Sequence, residues 1–249
     1  MSKRLTSIYG SYKQNKPAKN KAILIVLVFV LIVVLIVSVF SNGVKYKKYD
    51  AKHFFFVYAG SYVLQSRAQE VAVKVNDLGG AGVIYSVGNS KLVVVNAYFS
   101  ELEAQAVVSN ISGTFANAKF LKVSAPKLSK TSINKIEAVF ELKQFYFQYY
   151  DFCKNVYNWS NQFDQGEIEA NEIYKKIIKA RQQFVDINDA IKNSTDKISQ
   201  QSSDSCLLLI EHINSFLDNA FINNNITKYA RKLYVNIVLE FVQMCENIK

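Results

Sequence analysis

Two stretches thirty-six residues apart carry one pattern: Val57-Tyr58-Ala59-Gly60-Ser61-Tyr62 and Val93-Val94-Val95-Asn96-Ala97-Tyr98. The register continues beyond them without a gap. Ala68-Gln69 aligns with Ala104-Gln105, Val71 with Val107, Ala72 with Val108 and Val75 with Ile111. A match of fixed period through strand-like and helix-like segments marks a duplicated supersecondary unit. Each copy opens on an apolar β-rich run, Phe54–Ala59 and then Leu92–Val95, and continues with apolar residues three or four apart. Gly79-Gly80 stops the first helix, Val83–Val87 reads as a strand, and Gly88-Asn89-Ser90 turns the chain back. Ala118–Val123 supplies a last strand. The order βαββαβ predicts a four-stranded antiparallel sheet with both helices on one face, in a chain of α+β class.

Side chains alternate across a strand, which sends Phe55, Val57 and Ala59 toward the two helices. Phe54, Phe56 and Tyr58 then lie on the opposite face, beside Leu92 and Val94 of the third strand. That second face is mostly apolar, and two uses of it follow. Rings on a sheet stack on the apolar faces of sugars, with the Tyr58 hydroxyl left for hydrogen bonding. Alternatively the C-terminal region or a partner protein covers the face, because a bare apolar patch promotes association.

The segment around residues 53–125 resembles the SPOR (sporulation-related repeat) domain of bacterial cell-envelope proteins. The residues that carry the resemblance are Val57, Gly60-Ser61-Tyr62, Ala68 and Leu78-Gly79, then Val93, Asn96-Ala97-Tyr98 and Glu103-Ala104. The resemblance implies binding to peptidoglycan, through glycan strands stripped of their stem peptides, and concentration at sites of cell division or sporulation. On that basis Phe56, Tyr58, Leu92 and Val94 are the candidate glycan-binding residues. Two departures stand out. Asn96 replaces a glycine usual in the family, and asparagine tolerates positive φ better than most residues. Tyr58 and Val94 stand where the family commonly has a glutamine and a polar residue.

Before this segment, Ala22–Phe40 reads AILIVLVFVLIVVLIVSVF, nineteen residues with one serine and no charge. As a helix it measures about 28 Å at about 1.5 Å per residue, which matches a bilayer core of about 30 Å. The run is longer than a signal-peptide core, and no small-x-small cleavage site follows, so it reads as an uncleaved single-pass anchor. Six basic residues and no acid precede it in residues 1–21, against four lysines in the linker 41–52. That bias predicts a cytoplasmic N-terminus and extracytoplasmic C-terminal domains in the cell membrane. The net charge of +10 is concentrated at this anchor. Residues 53–128 carry +2 and residues 129–249 carry −1, which argues against nucleic acid as a partner.

Past Pro126, residues 129–249 contain one glycine, Gly166, and no proline, and read as a bundle of about four helices. The first starts near Ser132 and carries rings on every side, among them Phe140, Phe145, Tyr146, Tyr149, Tyr150, Phe152, Tyr157 and Trp159. Burial on several sides explains such a helix, and so does a surface for division or sporulation proteins. A second helix opens after Gly166 with Ile173, Ile177, Phe184, Ile187 and Ile191. The polar stretch Asn193–Ser205 reads as a mobile loop, a third helix begins at about Asp204, and a fourth follows Asn223-Asn224-Asn225.

Nothing points to catalysis, a cofactor or a metal. His53 and His212 lie near no nucleophile motif, and no phosphate loop or metal spacing occurs. Cys153, Cys206 and Cys245 are far apart and odd in number. They read as buried small hydrophobes, with one disulfide open to an extracytoplasmic domain. The sequence therefore predicts a non-enzyme: a membrane-anchored, SPOR-like peptidoglycan binder with a helical interaction domain, or a tethered protein-interaction scaffold without glycan affinity.

Overall fold

The computed structural model describes residues 51–126, 139–223 and 225–247. The basic tail 1–21, the apolar segment 22–40 and linker residues 41–50 lie outside the described residues. So does 127–138, which contains the expected helix start near Ser132. Among the described residues no helix is long and apolar enough to cross a membrane.

The first half follows the predicted order: β1 (Lys52–Tyr62), α1 (Gln65–Asp77), β2 (Val83–Val87), β3 (Ser90–Tyr98), α2 (Glu101–Ile111) and β4 (Lys119–Ala125). The strands form one antiparallel sheet in the order β2-β3-β1-β4. Gly79 ends α1 at φ 82°, donating to the Asn76 carbonyl while Gly80 donates to that of Val75. Glycine takes that left-handed position without a Cβ penalty. Ala68 and Ala104, equivalent in the repeat, are both fully buried where α1 and α2 meet the sheet. Phe55, Val57 and Ala59 face these helices, as alternation requires.

The repeat extends to an irregularity. On β3 an extra residue, Val95, falls between the partners of Val57 and Tyr58; on β1 Ala59-Gly60 oppose Val93 alone. Each copy thus bulges at the same place, and a bulge lets a strand bend without losing the rest of its ladder. Gly60 is not in the left-handed region, so positive φ is not what the position demands. A Cβ on Gly60 would stand 2.5 Å from the Tyr62 hydroxyl, which folds back over it. In the second copy a side-chain hydrogen bond links Asn96 to the Tyr98 hydroxyl. Asn96 sits in the β3 ladder opposite Val57, which corrects the positive-φ argument for that position.

The second half forms α3 (Val139–Asp164), α4 (Ala170–Ile191), α5 (Lys197–Asn223) and α6 (Ile226–Asn247). Each helix packs on its sequence neighbour, and α3 also packs on α6. Helix α5 begins seven residues earlier than the polar composition suggests. Asp196 caps it, accepting from the Ser199 amide at 2.8 Å and the Ser199 hydroxyl at 2.6 Å. Ser199, Ser202, Ser203 and Ser205 are buried in the bundle, with Ser203 donating to Asn188 of α4 at 2.7 Å. The serines are a close-packed helix face rather than a loop.

Sheet and bundle share one core. Phe54, Phe56, Val94, Ala97 and Ala125 belong to the same apolar cluster as the bundle interior, and the described residues form a single compact unit. The sheet is the middle layer, with α1 and α2 on one face and α6 with α3 on the other.

Candidate functional site

The four residues expected to hold glycan lie on the face covered by the bundle. Phe56 and Val94 are fully buried, Leu92 is buried, and Tyr58 keeps partial exposure. Of the two uses open to this face, the structure shows cover by the C-terminal region: Phe56, Leu92 and Val94 leave no surface on which a sugar could stack, so as glycan-binding candidates these three are corrected. Phe56 stacks instead on Tyr85 of β2 at a centroid distance of 6.2 Å. Phe54 packs edge-on to Tyr150 at 6.3 Å and to Phe241 at 6.2 Å, and lies 5.5 Å from Phe99.

The aromatic crowding of α3 has the same origin, because this helix is packed on two sides. Tyr150 and Tyr157 meet Phe99 from the sheet, at 6.3 and 5.4 Å. Tyr149 and Phe152 meet Phe184 of α4, and Tyr146 meets Phe241 of α6 at 5.2 Å. Rings on several faces of one helix are what two packed interfaces need.

Polar links fasten the same boundary. Arg231 of α6 donates to the Gly79 carbonyl at 2.8 Å and to Asp164 at 2.5 Å, and Thr227 donates to Asp164 at 2.7 Å. Tyr157 donates to Glu103 of α2, and burial together with that carboxylate holds its hydroxyl far above the ordinary range.

Among the described residues no catalytic constellation is assembled. His53 bonds the Ser124 hydroxyl at 2.7 Å across β1 and β4, and His212 stands 3.9 Å from Glu240. Among the described residues no group of acids, histidines or cysteines is placed to hold a metal. Cys153, Cys206 and Cys245 are all free and buried. Burial pushes the Cys206 thiol up to about 12 and raises the other two as well.

Concave surface survives on the helices. A cleft of about 380 Å³ runs between α3 and α4, lined by Gln148, Asp151, Asn155 and Trp159 with Lys179 and Gln183. A smaller one of about 210 Å³ lies between α5 and α6, where His212, Lys228 and Lys232 meet Asn76 of α1. Sequence reading passed over the first cleft because its polar residues are spread over two helices, with only Trp159 as a signal.

No protein-family model, curated protein or solved structure matches the chain.

Proposed function

We propose that the chain is a single-pass, non-catalytic protein of the bacterial envelope whose recognition surfaces lie on the helical bundle. The SPOR-like sheet serves as its structural base. The apolar segment 22–40 anchors it, and the excess of basic residues in 1–21 keeps the N-terminus cytoplasmic, leaving the folded unit outside. One observation carries the reading: Phe54, Phe56 and Val94 have no exposed surface beneath α6 and α3. A sheet face packed at core density cannot also hold a ligand without unfolding the seam. The resemblance of residues 53–125 to SPOR domains supports placement at sites of peptidoglycan remodelling, and any contact with glycan would then use another surface.

Cosedimentation of residues 45–249 with purified sacculi, before and after amidase treatment, tests this. Tyr58 is the only one of the four candidate residues left partly exposed, so Tyr58→Ala is the sharpest probe. It should leave the pelleted fraction unchanged. Selective loss of binding to denuded sacculi by a folded Tyr58→Ala protein would return the sheet face to use and sink the proposal.

A further inference from the structure

The cleft between α3 and α4 is built of parts that together select one ligand chemistry. Gln148, Asp151, Asn155 and Trp159 form one stripe along α3, and Lys176, Lys179 and Gln183 face them from α4. Its volume of about 380 Å³ lies in the lower part of the roughly 300–1,000 Å³ range of ligand clefts. Of the three rings lining it, Phe152 and Phe184 are buried and Trp159 is the one partly exposed. Phe152 meets it at 69°, and the Lys176 ammonium stands 5.9 Å from its centroid. That separation is at the outer limit of a cation–π contact, and Lys176 is held there by Glu172 at 2.5 Å. Its half-exposed stem makes the ammonium a displaceable cover for the ring.

The polar groups alternate in kind. Asp151 and the amide oxygens accept, while the amide nitrogens and Lys179 donate. Gln148, Asn155 and Gln183 bring side-chain amides to the cleft, each able both to donate and to accept. Charge is nearly balanced as well. Asp151 offsets Lys179, and Glu172 neutralises Lys176. A phosphate or a peptide carboxylate would find no surplus of positive charge here. A neutral molecule with many hydroxyls, each both donor and acceptor, matches the exposed Asp151, Asn155, Lys179 and Gln183, and its apolar ring face would lie against the indole.

We infer that this cleft binds a neutral saccharide through Trp159, Gln148, Asp151, Asn155 and Gln183. The inference rests on the placement of recognition on the bundle, and a different readout tests it. Trp159 is the only tryptophan of the chain, so its fluorescence reports on this cleft alone. The full-length protein in detergent is titrated with maltotriose and with tri-N-acetylglucosamine, and separately with inorganic phosphate and a charged tripeptide. A saturable change with at least one sugar and none with the charged ligands is expected. Asp151→Asn and Gln183→Ala, both at exposed positions, should each weaken it roughly two- to tenfold, without a change in melting temperature. No response to either sugar, or a response to phosphate or tripeptide instead, would overturn the inference. Neither outcome involves Tyr58, so the inference can fail while the bundle-based reading stands. Loss of sacculus binding by Tyr58→Ala would remove that reading without moving the Trp159 titration.

Discussion

Phe54→Ala tests the sheet–bundle seam where it is most heavily packed. Phe54 has no exposed surface and touches rings from three other elements or loops: Phe99, Tyr150 and Phe241. Truncating a buried phenylalanine costs about 3–5 kcal/mol, the lost transfer energy plus the cavity left behind. Three ring contacts, each contributing about 0.5–1.5 kcal/mol beyond burial, put Phe54 at the upper end. In a folded unit of this length each kcal/mol lowers the melting temperature by roughly 2–4 °C, so a drop on the order of 10 °C or more is expected. Urea denaturation of residues 45–249, followed by circular dichroism and by Trp159 fluorescence, gives the measurement. Both probes should shift together, since sheet and bundle share one core. Were the face open, Phe54→Ala would behave as a surface change, within about 0.5 kcal/mol. That result, or a sheet that melts separately from the bundle, would refute the reasoning.

Other substitutions test smaller parts of the same structure. Arg231→Ala removes both the Gly79 and Asp164 links and should cost roughly 1–3 kcal/mol in the same urea experiment. Gly60→Ala meets only the far end of the half-buried Tyr62 side chain, so it should cost less than about 1 kcal/mol, and a double-mutant cycle with Tyr62→Ala should show that cost relieved. Asp196→Ala should cost about 1 kcal/mol as a lost helix cap. Burial opposes ionisation of Asp196, but hydrogen bonds from Ser199 and Ser194 prevail and hold its carboxyl below the ordinary 3.8. Its contribution is therefore present above pH 3.8 and fades as pH falls through the lower folded value, so wild type and Asp196→Ala should converge in acid melts. Cys153, Cys206 and Cys245 should resist thiol reagents at pH 8 and react only on unfolding, because burial keeps all three protonated.

The sheet was legible because two independent periodicities agree. The thirty-six-residue repeat sets which residues are equivalent, and period-two alternation sends Phe55, Val57 and Ala59 to one face and Phe54, Phe56 to the other. An apolar face announces that something must cover it, but alternation within a strand carries no information about what does. The cover comes from α6, more than a hundred residues away, whose buried residues from Ile226 to Cys245 serve both the bundle and the sheet. Local composition misled for the start of α5. Serines there read as solvent-loving, while their small size is what allows α4 and α5 to approach closely. The α3–α4 cleft was illegible for a related reason: residues forming one stripe on each of two helices have no common motif in the chain.

The central claim is that the second face of the sheet is interior. Nuclear Overhauser contacts between ring protons, recorded on residues 45–249 with selectively labelled phenylalanine and tyrosine, test it most directly. The structure predicts cross-peaks from Phe54 to Phe241 of α6 and to Tyr150 of α3. A folded protein in which the Phe54 ring shows no contact to α3 or α6, and responds to a soluble paramagnetic agent, would contradict it.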